Sequence, residues 1–99
     1  MLFHVTFEVY DTIVLEGDRH LREVLGPRIQ QIMQSPKVQQ SGMLSGKRAG
    51  FLLVNIDAPE ELTELLGPEI LGNFRVDAQP VTPTEKLGEL LQQWAREGR

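Results

Sequence analysis

His4, Thr6 and Glu8 alternate with Phe3, Val5, Phe7 and Val9 near the start of the chain. Arg75, Asp77 and Gln79 alternate with Phe74, Val76 and Ala78 near its end. Successive side chains of a strand point to opposite faces, so each segment has one apolar and one polar face. Paired antiparallel, the two segments would gather a histidine, two carboxylates and a guanidinium on one surface. Those groups suit proton transfer next to a carbonyl. A carboxylate with a raised pKa shuttles the proton, and a guanidinium anchors a substrate carboxylate. Glu8 or Asp77 is the candidate base, His4 a donor or second base, and Arg75 or Arg48 the anchor. Tyr10, closing the first segment, would bring a hydroxyl to a pocket mouth. The plainer reading makes the same residues cross-strand ion pairs in a dimer interface, with Tyr10 packed at a strand end.

Other chemistries find little support. The chain has no cysteine, which excludes disulfides, thiolate nucleophiles and Cys-type zinc sites. His20, near Asp18 and Glu23, reads as a surface histidine, and the two histidines do not form a metal-ligand spacing. Ser41 and Ser45 lack the flanks of a nucleophile elbow. Gly42, Gly46 and Gly50 match neither phosphate-loop template. No metal and no cofactor is therefore expected. The net charge is −4 and the pI about 5.1. Lys47-Arg48 is the only adjacent basic pair, so the basic face that nucleic acid requires is missing. No stretch approaches membrane-spanning length, and the first nine residues read as a strand rather than a signal peptide. A cytoplasmic protein without nucleic-acid or membrane partners is expected.

The elements that must position these residues follow from a repeat. Glu23-Val24-Leu25-Gly26-Pro27-Arg28-Ile29 returns as Glu64-Leu65-Leu66-Gly67-Pro68-Glu69-Ile70, each copy lying between two strand-like stretches. Two βαβ-type halves around one sheet are implied. Residues 2–9 form the first strand and residues 11–17 a loop. Asp18 caps a helix whose apolar stripe is Leu21, Val24, Leu25, Ile29, Ile32 and Met33. Gly26-Pro27 is expected to kink it or split it in two, and Gly67-Pro68 to do the same in the second copy. Residues 38–45 read as a weaker strand with Gly42 as a bulge candidate. Gly46-Lys47 suits a tight turn, and residues 48–56 form a strand apolar on both faces at Phe51-Leu52-Leu53-Val54. Residues 73–81 form an edge strand, since Pro80 cannot donate to a ladder. Thr82-Pro83-Thr84-Glu85 reads as a capping box with proline at the first helical position. It opens a helix over about 83–97 with Leu87, Leu90, Leu91 and Trp94 committed to burial.

The order β-α-β-β-α-β plus a terminal helix, over residues 1–99 as one domain, predicts a ferredoxin-like α+β fold: an antiparallel sheet with helices on one face. The two-sided apolar strand calls for a second subunit, so a homodimer or higher homo-oligomer is expected.

Met1-Leu2-Phe3-His4-Val5 resembles the start of muconolactone isomerases, and residues 49–66, a strand followed by an acidic helix, resemble the corresponding stretch of that family. YCII-related domains share the layout more loosely. Both belong to the dimeric α+β barrel group, in which two ferredoxin-like sheets pack face to face. The resemblance implies that dimeric barrel and, for His4 alone, a site role. Two family features are absent. Gly67-Pro68-Glu69-Ile70-Leu71-Gly72 stands where an aromatic, proline-rich segment would be, and Gly42-Met43-Leu44-Ser45 stands where a Trp-Arg pair would be. Two functions are compatible with the residues. One is a cofactor-free, isomerase-like enzyme acting on a small carboxylate or lactone. The other is a non-catalytic module on the same fold that binds a small ligand or supports assembly.

Overall fold

A computed structural model describes residues 1–13 and 17–98; residues 14–16 of the expected loop lie outside the described residues. The elements run β1 (Leu2–Val9), α1 (Arg19–Gln34), β2 (Val38–Leu44), β3 (Ala49–Asn55), α2 (Pro59–Leu71), β4 (Phe74–Pro80) and α3 (Thr84–Arg96). The four strands make one sheet in the order β2-β3-β1-β4. Every neighbouring pair is antiparallel. The described residues thus form an α+β structure, with a four-stranded antiparallel sheet and three helices, consistent with a ferredoxin-like fold. Among the described residues no helix is long and apolar enough to cross a membrane.

The alternation in β1 decides which face the helices cover. Val5 and Val9 meet Leu52 and Val54 of β3, Phe74 of β4, Leu21, Leu25 and Ile32 of α1, and Leu66 and Ile70 of α2 in one buried cluster. Side chains of this size each contribute roughly 1.5–3 kcal/mol when fully buried. Two close approaches depend on glycine. A Cβ on Gly50 would lie 2.6 Å from Cζ of Phe7, on the helix side, and a Cβ on Gly42 would lie 2.6 Å from Cε1 of Phe51, on the opposite side. Gly42 is therefore a cradle for a ring and not a bulge. The irregularity in β2 falls between Val38 and Gln40.

Asp18 caps α1 as expected, accepting a hydrogen bond from the Leu21 N–H at 2.8 Å. The two repeat copies then diverge. α1 runs through Gly26-Pro27 as one helix, so of the two expected outcomes the split into two helices does not occur there. In α2 the break is real: Gly67 has φ 70° and ψ 172°. Glycine tolerates that left-handed φ and a side chain does not. The open backbone makes room for Arg28, whose Cζ stands 2.6 Å from where a Gly67 Cβ would be. Arg28 Nε donates to Glu69 Oε2 at 3.0 Å and Nη1 to the Glu64 carbonyl at 3.4 Å. Arg28 and Glu69 occupy the same position in the two copies, so the repeat is clamped by its own point of difference.

The start of α2 is held by Glu61. Its carboxylate accepts from the backbone N–H of Asp57 and of Ala58 and from Lys37 Nζ at 3.0 Å. The Lys37 hydrogen bond first, then the two backbone donors, lower its pKa to about 2. Glu69 is also held below the usual carboxylate range, by its own backbone N–H and then by Arg28.

The last helix corrects two expectations. α3 begins at Thr84, with Pro83 at the N-cap, ψ 145°, and no side-chain capping bond. Proline fixes φ but leaves ψ extended here, so the helix starts one residue late and the capping box does not form. No residue of α3 is buried. Leu87 and Leu91 are about half exposed, at 50% and 53%. The molecule measures 60 × 27 × 19 Å, with a radius of gyration of 17.2 Å. A compact domain of this length has about 13 Å. The stripe is real, but its own chain does not cover it.

Candidate functional site

The register of β1 and β4 places the polar residues as the alternation requires. Glu8 lies opposite Arg75, Thr6 opposite Asp77, and His4 opposite Gln79. On the other flank the same three residues face Ala49, Phe51 and Leu53 of β3. The surface away from the helices is therefore a polar stripe over β1 and β4 beside an apolar stripe on β3. His4, Arg75, Asp77 and Gln79 are exposed, while Glu8, Thr6, Phe51 and Leu53 are half-buried. The His4 ring stacks on Phe51 with centroids 5.8 Å apart and planes at 29°. Gln79 Nε2 donates to Asp77 Oδ1 at 3.3 Å.

Not all the candidates meet at one point. His4 and Glu8 are four residues apart in one strand, which separates them by about 13 Å. Asp77 lies diagonally from Glu8, at a Cα separation of about 7–8 Å. One small molecule can touch Glu8 with Arg75 or Asp77, but it cannot bridge Glu8 and His4 of the same chain.

The convergence is at the end of β1. Glu8, Tyr10 and Arg48 line one hollow of about 340 Å³, together with Val9, Asp11 and Ile13. Local backbone bonds fix it. The Val9 N–H donates to the Arg48 carbonyl at 3.0 Å, which draws Arg48 against the strand. The Tyr10 N–H donates to the Asn73 carbonyl, and the Ile13 N–H to the Tyr10 carbonyl at 2.9 Å, which turns the chain around the hollow. A half-buried carboxylate, a guanidinium and a phenol around one concavity can bind a carboxylate-bearing molecule and exchange a proton with it.

The sequence named Glu8, Tyr10 and Arg48 among the candidates of a polar-face site but did not show that the turn after Val9 brings these three into one hollow. Nor did it show Asp11 in the same hollow or the Phe51 platform under His4. Both were legible in part: Asp11 is two residues beyond Val9, and a two-sided apolar strand beside β1 must place an aromatic ring near its polar residues. His20 is exposed in the first turn of α1. Among the described residues no three His, Asp or Glu side chains are grouped as a metal ion would require. The chain matches no protein-family model, and no curated protein matches it.

Proposed function

We propose that the protein is a ferredoxin-like homodimer whose polar sheet face is covered by a second copy, and that it acts as a cofactor-free, isomerase-like enzyme on a small carboxylate or lactone. The observation that carries this reading is the hollow where Glu8, Tyr10 and Arg48 converge. In it Glu8 is the proton shuttle, Arg48 holds the substrate carboxylate, and Tyr10 donates to a substrate oxygen; Arg75, opposite Glu8 on β4, is the second anchor beside the hollow. Covering the face would exclude water from the hollow and hold a small substrate against Glu8. Asp77 is the second carboxylate in reach. His4 serves the far end of the stripe.

The non-catalytic reading draws on two contacts. Asp77 is bonded to Gln79 and His4 is stacked on Phe51, so part of the face already has partners within the chain. Screening small carboxylates and lactones for thermal stabilisation, then assaying any hit for turnover, separates the two. Acid–base catalysis contributes about 10²–10⁴-fold, and Glu8→Gln is expected to lose that much rate while retaining its melting temperature. Binding without turnover, or destabilisation by Glu8→Gln and Asp77→Asn with no hit, favours the binding or assembly module.

A further inference from the structure

Two apolar surfaces stand partly open to solvent on one chain: three exposed leucines beside a half-buried Trp94 on α3, and a methionine-rimmed cleft on the helix side of the sheet. One is the α3 stripe Leu87, Leu90, Leu91 and Trp94, at spacings that put all four on one side of a helix. The other is a cleft of about 250 Å³ between α1 and the β2-β3 hairpin, floored by Phe7, Leu52 and Leu66 and walled by Ile32, Met33 and Met43. Ser41 is the one hydroxyl among its lining residues. An adjoining hollow of about 280 Å³ shares Phe7, Ile29 and Met43 with it and carries it on to Lys47 and Arg48. The rim exposes Met43 at 72% and Met33 at 64%. Long thioether side chains can repack around an incoming apolar ridge.

We infer that α3 of one copy docks in the α1/β2-β3 cleft of a second copy, in a reciprocal two-fold exchange. The chain's own α3 is badly placed for its own cleft. β4 and β2 are opposite edges of the sheet, about 14 Å apart at 4.8 Å per strand. Only Val81, Thr82 and Pro83 join β4 to α3, which holds Thr84 within about 14 Å of Pro80 even with the joint fully extended. Pro80, where α3 departs, pairs with Phe3, at the other end of the sheet from Lys47 and Arg48.

Area favours a second copy over an unrelated helix. Thirteen residues of helix are about 20 Å long and 10–12 Å across, so half the side wall is on the order of 350 Å². In a reciprocal exchange each copy buries that much helix and a similar area of cleft, on the order of 700 Å². Specific interfaces bury about 800 Å² a side, and a one-way helix would reach only half of that. The exchange goes beyond the sheet-face reading and does not depend on it.

The absence of cysteine makes a direct test available. Full-length Leu90→Cys and Met43→Cys variants are mixed in equal amounts and oxidised. The exchange predicts a disulfide-linked heterodimer at twice the 11.2 kDa chain mass, formed in the mixture and in neither variant alone. Three results would overturn it: no link in the mixture, links only between Leu90→Cys copies, or an intrachain link in monomers of the double variant. Should Met43→Cys fail to fold, Trp94 emission of the unmodified chain decides. The exchange predicts a red shift on dilution as the helix leaves its cleft, and an unchanged spectrum from micromolar to nanomolar concentration contradicts it.

Discussion

The same four strands present two surfaces built to different ends. On the helix side Val5 and Val54 are completely buried, under Leu66 and Ile70, which are 1% exposed. On the other side, one residue along each strand, stand Glu8, Arg75, Asp77 and His4, with Phe51 and Leu53 beside them and no helix over them. Strand alternation assigns a residue's duty by parity: even positions in β1 and odd positions in β4 face away from the core. The helix side is taken up by the core cluster, and the ionisable side chains of β1 and β4 stand on the side that the helices leave open.

The largest test of that contrast compares truncations across the sheet. Leu66→Ala removes a fully buried side chain and is expected to cost about 2–5 kcal/mol in denaturant unfolding. Thr6→Ala, on the open face, is expected to stay within about 0.5 kcal/mol. Equal costs would mean that the open face is a second core within the single chain.

A finer comparison uses the two glycines. Gly50→Ala would drive a Cβ into Phe7, whose ring is already edge-packed on Phe74 with centroids 5.7 Å apart, and a Gly42 carbonyl at 3.0 Å blocks the other side. Overpacking of this kind costs about 1–3 kcal/mol. Gly42→Ala presses on the Phe51 ring, which stacks on the exposed His4 and not on the core, so its cost should fall below that of Gly50→Ala. The reverse order would show that Phe51 is held as tightly as Phe7.

A smaller effect belongs to the helix layer alone. Glu61 is held near pKa 2, against an ordinary 4.5. The depressed value means that its contribution is complete above about pH 4.5 and is lost as the pH falls toward 2. Acid titration of stability should therefore be shallower in Glu61→Gln than in the parent protein over that window. Lys37→Met should move the parent's acid transition to higher pH. Identical titrations in all three would remove Glu61 from the account.

Much of this architecture was readable before folding was considered. The Phe3, Val5, Phe7, Val9 alternation gave β1 and both its faces. Asp18 gave the start of α1, and Pro80 an edge strand. Three features were not readable, each because it depends on contacts distant in sequence. Gly26-Pro27 and Gly67-Pro68 look alike, yet only the second breaks its helix, because Arg28 must pass close to Gly67. The apolar stripe of α3 predicted burial, but periodicity does not say in which chain. His4, Glu8, Arg75 and Asp77 share a face by alternation, but Tyr10 and Arg48 lie beyond the strand ends, and only the turn after Val9 decides that Glu8, Tyr10 and Arg48 form a hollow while His4 stays about 13 Å from Glu8.

The central claim, that a second copy covers the polar sheet face, is tested most directly by the two histidines. His4 lies on that face and His20 on the exposed first turn of α1. Acylation by diethyl pyrocarbonate, read by mass spectrometry of the two peptides across a concentration series, reports each ring against the other. The account predicts that His4 reacts much more slowly than His20 at high protein concentration and catches up on dilution. Equal reactivity of the two at every concentration would leave the face open to solvent and contradict the claim.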